Sequence, residues 1–106
     1  MQLTYYGHSC FAAIINGKHL LFDPFVSANE MAAAIDIHQI QADYILVSHA
    51  HSDHFLDCLS IALRTGAKVI CSWEVHEWLQ AKGVQNTQPM NVGGKCTFDD
   101  FTVKCT

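Results

Sequence analysis

The sequence predicts an α/β fold, because short apolar runs rich in β-branched and aromatic residues alternate with stretches whose apolar positions recur at helical spacing. A second feature agrees: Asn16-Gly17 joins two such runs as a two-residue hairpin signal. Taken in order, residues 1–6 and 10–15 read as strands, and residues 18–22 as a third that Asp23-Pro24 ends. Short helical turns are expected over 27–34 and 36–39. Residues 44–47 (Tyr-Ile-Leu-Val) read as a short buried strand. The next helix starts at His54 or Phe55 and stops before Gly66, a residue suited to a left-handed cap. Residues 67–71 form another strand, and residues 73–82 a second helix closed by Gly83. Gly93-Gly94 marks a turn, and 95–98 with 101–105 suggest a hairpin around Asp99-Asp100. No repeat or linker interrupts the chain, so one domain over 1–106 is expected.

The most informative stretch is His49-Ala50-His51-Ser52-Asp53-His54, which packs four metal-liganding side chains into the turn between the strand at 44–47 and the helix that follows. Positions i and i+2 of an extended turn project to one side, so His49 and His51 converge on one cation. Asp53 and His54 at the helix start face a second. Imidazole and carboxylate donors suit zinc and similar borderline ions. With seven His and seven Asp in the chain, chance places this pattern somewhere with a probability of about two in a thousand. Asp53 also reads as an N-terminal helix cap.

The same residues resemble a known family. The stretch 49–54 matches the His-x-His-x-Asp-His signature of the metallo-β-lactamase superfamily. Residues 3–11 (Leu-Thr-Tyr-Tyr-Gly-His-Ser-Cys-Phe) are similar to one branch of it, uncharacterised metal-dependent hydrolases like ascorbate-6-phosphate lactonase. Residues 20–25, 42–48, 64–70 and 89–94 extend the likeness over nearly the whole chain. The resemblance implies the N-terminal half of an αββα sandwich, a mixed sheet with helices on one face. It also implies one or two divalent ions, zinc or manganese foremost, with His49 and His51 on one and Asp53 and His54 on the other. A third His, a bridging Asp and another His come from the C-terminal half in such proteins. The implied reaction is attack of a metal-activated hydroxide on an ester, lactone or phosphoester. Asp53 would take a proton from the nucleophilic water, and His8 would orient substrate or add a metal contact.

Counting donors without the family leaves each cation two ligands, short of the three a catalytic zinc takes from protein. The rival reading is therefore a non-catalytic fragment, a metal-binding or self-associating module. A third is a pair of copies with metals at their seam. His76 lies in a helical stretch among Trp73, Val75 and Trp78 and reads as surface or packing. Asp23 reads as support for a neighbouring loop or a ligating imidazole. Ser48 and Ser52 read as backbone-bonding residues rather than nucleophiles.

Composition narrows the partners. A net charge of −4 with only six Lys and Arg offers no basic stripe for nucleic acid. A small-molecule substrate, drawn in by the metal if anionic, is expected instead. No apolar run reaches the ~18 residues of a membrane span and no signal sequence is evident, so a cytoplasmic setting is expected. The five cysteines lack a C-x-x-C pair and read mostly as small buried hydrophobes, Cys10 included. Half a sandwich leaves an apolar sheet face, which favours a homo-oligomer.

Overall fold

The computed structural model describes residues 2–32, 34–98 and 101–105. Strands β1 (Gln2–Gly7), β2 (Cys10–Ile15), β3 (Lys18–Phe22), β4 (Tyr44–Leu46), β5 (Lys68–Cys71) and β6 (Thr87–Pro89) form one sheet in that spatial order. β1, β2 and β3 pair antiparallel, and β3 through β6 pair parallel. A separate hairpin joins β7 (Lys95–Thr97) and β8 (Thr102–Lys104). Helices α1 (Ser52–Phe55) and α2 (Cys58–Thr65) connect β4 to β5, and α3 (Trp73–Ala81) connects β5 to β6. This is the mixed sheet with helices on one face that the resemblance implies, part of an αββα arrangement.

Local chemistry explains most boundaries. Asn16 and Gly17 both adopt positive φ, 49° and 79°, and Ile15 faces Lys18 across the turn. Such a turn matches the twist of the flanking strands and locks their register. Gly66 caps α2 at φ 72°, its N–H bonding the carbonyl of Ala62. Ser72 caps α3 by accepting from the Val75 N–H. The turns expected at 27–34 and 36–39 shrink to single 3-10 turns, Glu30–Ala32 and Ile37–Gln39. The expected strand start at Met1, the residue Ala33 and the expected turn at Asp99-Asp100 lie outside the described residues.

Two differences from expectation stand out. The helix over 54–65 is split into α1 and α2 around Asp57, and β6 was not foreseen. The sheet has two unlike faces, set by period-two alternation. Ala12, Leu21, Ile45 and Val69 align across β2 to β5 toward the helices, with the last three fully buried. Burial of each of these three stabilises the fold by about 1.5–3 kcal/mol. The other face carries Tyr5, Phe11, Phe22, Leu46 and Ile70 in one cross-strand row. Tyr44 on that face meets Phe98 and Phe101, so the β7–β8 region covers part of it.

Candidate metal centre

The parallel strands end where the chemistry begins. Asp23 follows β3, residues 48–54 follow β4, and His8 sits in the β1–β2 turn. Open sheets gather ligands outside the carboxyl ends of parallel strands, and this cluster occupies that place. The Asp23 N–H bonds the Leu46 carbonyl and the Val47 N–H the Ile70 carbonyl, which fixes the strand ends against one another.

Two site residues hold unusual backbone. His8 has φ 51° and Asp23 φ 44°, in the left-handed region where a non-glycine residue costs about 1–3 kcal/mol. Gly7 precedes His8 at φ 107°, and a Cβ there would come within 2.7 Å of the Asn29 side-chain amide. The turn is thus restricted to glycine at the residue that presents His8. Tyr5 donates its hydroxyl to the His8 carbonyl at 2.7 Å and steadies the same turn.

The side chains converge. His8 Nε2 lies 3.0 Å from Asp53 Oδ2, and His54 Nε2 lies 3.8 Å from Asp53 Oδ1. The His49 ring sits 4.5 Å from the His51 ring and 4.2 Å from the His54 ring, centre to centre. Among the described residues two groups could hold a cation, His49 with His51 and Asp53, and His8 with Asp53 and His54. Within each group the ligand atoms all lie within 4.8 Å of one another. Every site residue expected from the sequence is therefore in one cluster, but the grouping differs: Asp53 belongs to both sets, and His8 joins His54.

Support comes from below. Asp23 accepts from the Ser48 N–H at 2.6 Å, the Ser48 hydroxyl at 2.8 Å and His54 Nδ1 at 2.9 Å. Its side chain is only 13% exposed, whereas that of Asp53 is 48% exposed. The cluster thus runs from a buried carboxylate to a solvent-facing one. A cleft of about 580 Å³ reaches Asp23 and Ser48 from the sheet's other face, walled by Phe22, Leu46, Ile70 and Val103.

Asp53 does not cap α1. His51 occupies the cap position, with no side-chain cap bond, and Asp53 stands in the first turn. Its carboxylate reaches His8 instead. Desolvation pushes the Asp53 carboxyl up, but the hydrogen bond with His8 and the charges of His54 and His8 outweigh it and hold the group below its ordinary value. It is therefore a carboxylate at neutral pH.

Other expectations fall outside the site. His76 packs against Trp73 and places Nδ1 2.6 Å from the Thr87 hydroxyl. Cys10 is fully buried in the core. The residue that reading by spacing missed is Asp57, buried and bonded to the Val26 N–H, the Ser27 N–H and the Ser27 hydroxyl at 2.6–2.8 Å. Those bonds pin the loop after β3, and with it Asp23.

Known proteins resemble this chain in sequence and fold. The family model described as the beta-lactamase superfamily domain matches residues 2–103. A UPF0173 metal-dependent hydrolase of Flavobacterium johnsoniae is 46% identical over 104 residues, covering 98% of this chain and 46% of that protein. One from Carboxydothermus hydrogenoformans is 45% identical over 106 residues, 100% of this chain and 46% of that protein. Among solved structures, Igni18, a metallo hydrolase from the archaeon Ignicoccus hospitalis, superposes with a TM-score of 0.74 at 34% identity, covering 92% of this chain and 42% of that one. The chain spans about half the length of the curated relatives it matches. Its match over 2–103 leads to one conclusion: the chain, similar over that span to UPF0173 metal-dependent hydrolases, belongs to the beta-lactamase superfamily.

Proposed function

We propose that the chain carries the metal centre of a hydrolase acting on an ester, lactone or phosphoester, with His49, His51 and Asp53 on one divalent ion and His8, Asp53 and His54 on a second. The observation that carries this reading is the convergence of both donor sets on Asp53. The donors fit such an ion chemically, being imidazoles and a carboxylate held below its usual pKa. His8 brings the second set to three donors, the number a catalytic zinc takes from protein. A bound divalent ion supplies Lewis acidity, polarising the scissile oxygen and making water nucleophilic near neutral pH.

The chain's own residues do the rest. Asp53 would accept the proton of the attacking water at a carboxylate oxygen, and the 3.0 Å contact of His8 Nε2 places that ring beside the same carboxylate. Asp23 holds the His54 ring. The substrate is a small molecule, anionic where the ions draw it in, and not nucleic acid, since six Lys and Arg against ten Asp and Glu leave the chain at −4. Zinc and manganese, the ions we assign here, both accept imidazole and carboxylate donors, as iron does. The setting is the cytoplasm, residues 1–106 make up one partial metallo-β-lactamase-like domain, and the chain associates as a homo-oligomer. Among the described residues no helix is long and apolar enough to cross a membrane.

A rival reading, a metal-binding or self-associating module without turnover, is favoured by Asp53 serving both sets, which leaves neither with three donors of its own. Elemental mass spectrometry on protein purified without chelator or tag metal separates the two when combined with assays on generic lactones and phosphodiesters. About one to two ions per chain are expected. His51→Ala should lose bound metal and abolish hydrolysis while the fold persists. Turnover that survives unchanged in His51→Ala overturns the hydrolase assignment.

A further inference from the structure

We propose that Ser48 and Asp23 form one positioning unit that fixes the tautomers of His49 and His54 together, leaving Nε2 of each ring with a free lone pair; the proposal rests on the metal-centre reading. Proton counting carries it. A carboxylate only accepts hydrogen bonds, so the 2.9 Å contact between His54 Nδ1 and Asp23 Oδ2 places a proton on that Nδ1. The Ser48 hydroxyl has a single proton and donates it to the same Oδ2 at 2.8 Å. Toward His49 Nδ1, 2.9 Å away, the hydroxyl oxygen therefore has only lone pairs to offer. His49 Nδ1 must carry the proton, and its Nε2 is left unprotonated.

The backbone makes the unit rigid. The Ser48 N–H donates to Asp23 Oδ1 at 2.6 Å, so both carboxylate oxygens are engaged by residue 48. His49 belongs to one donor set and His54 to the other, so a single buried carboxylate reaches both sets. It acts directly on one ring and through a serine hydroxyl on the other. Ser48 is a positioning residue here: Asp23 holds its hydroxyl proton and its oxygen faces His49 Nδ1.

Long-range proton–nitrogen correlation spectra of the metal-free chain read each tautomer directly. Both His49 and His54 are expected with the proton on Nδ1. Ser48→Ala should move His49 toward the Nε2–H form that a free imidazole favours and leave His54 as it is. Ser48→Thr, which keeps the hydroxyl, should restore His49. Zinc titration of Ser48→Ala should show an affinity loss of about tenfold, at one site of the two. An unchanged His49 tautomer in Ser48→Ala, or an equal shift in His54, overturns the proposal. The tautomers are read without metal, so a wild-type chain that binds no zinc overturns the metal-centre reading alone.

Discussion

Cys10, Cys58 and Cys71 lie in the core, while Cys96 and Cys105 are half-buried. Burial pushes the Cys10 thiol up to about 11, the backbone N–H of Phe25 opposing and the charges of Asp57 and Asp23 adding to it. Burial takes Cys71 to about 12 and Cys58 higher still. At about pH 8 these three stay neutral thiols, out of reach of a reagent that needs thiolate. A disulfide exchange reagent should therefore modify Cys96 and Cys105 in the native chain, and the other three only on unfolding; rapid reaction at three or more sites refutes the assignment. Raised pKa values contribute stability that is complete below the thiols' ordinary 9.0 and lost as pH rises through about 11 to 12, so the unfolding midpoint should fall on the alkaline side. Single residues were legible where their partners are local. The motif at 49–54 needs only one turn of chain to converge, and Asp23 declares itself by closing an apolar strand before Pro24. Asp57 stayed hidden, because its partners Val26 and Ser27 lie 31 and 30 positions away.

At the scale of elements, the break between α1 and α2 has a tertiary cause. The last bond of α1 runs from the Leu56 N–H to the Ser52 carbonyl, after which the Asp57 N–H turns to the carbonyl of Pro24 at 3.0 Å. The carbonyl of Asp57 then starts α2 by accepting from Ile61. Apolar spacing over 55–64 stays helical throughout, so the sequence carries no mark of the break. β6 (Thr-Gln-Pro) escaped notice for a related reason: only Thr87 has a strand preference, Pro89 opposes one, and pairing with β5 makes the segment a strand. By contrast, Asn16-Gly17 and Gly66 were legible because positive φ selects those residues locally. Asp57→Ala removes the acceptor of a buried Val26 N–H as well as that of Ser27. A loss of about 3 kcal/mol is expected, seen as a lower urea midpoint. Asp57→Asn keeps one acceptor oxygen and should lose less. An Asp57→Ala midpoint equal to that of the wild type would show that these bonds contribute nothing net.

Over the whole molecule, the sheet's two faces meet different fates. One is closed by α2 and α3, whose Ile61, Ala62, Val75 and Leu79 join the same core as Leu21, Ile45 and Val69. The other is covered around Tyr44 but left open toward β1, where Leu3 is 62% and Tyr5 70% exposed and Phe11 lies stacked on Phe22. Alternation in the sequence made the two-faced sheet legible, but what covers the second face is set by contacts distant in the chain, such as Tyr44 with Phe98 and Phe101. β1 is also an edge strand, with β2 as its neighbour on one side. An apolar strip along an unpaired edge favours self-association over solvent exposure. Sedimentation velocity across a range of concentrations should therefore show an apparent mass that rises with concentration. Leu3→Lys puts a charge on that strip at a site exposed enough to cost the fold within about 0.5 kcal/mol, so it should shift the chain toward monomer without lowering its thermal midpoint. A wild-type mass that does not vary with concentration would mean that the strip stays solvated and that the homo-oligomer forms elsewhere or not at all.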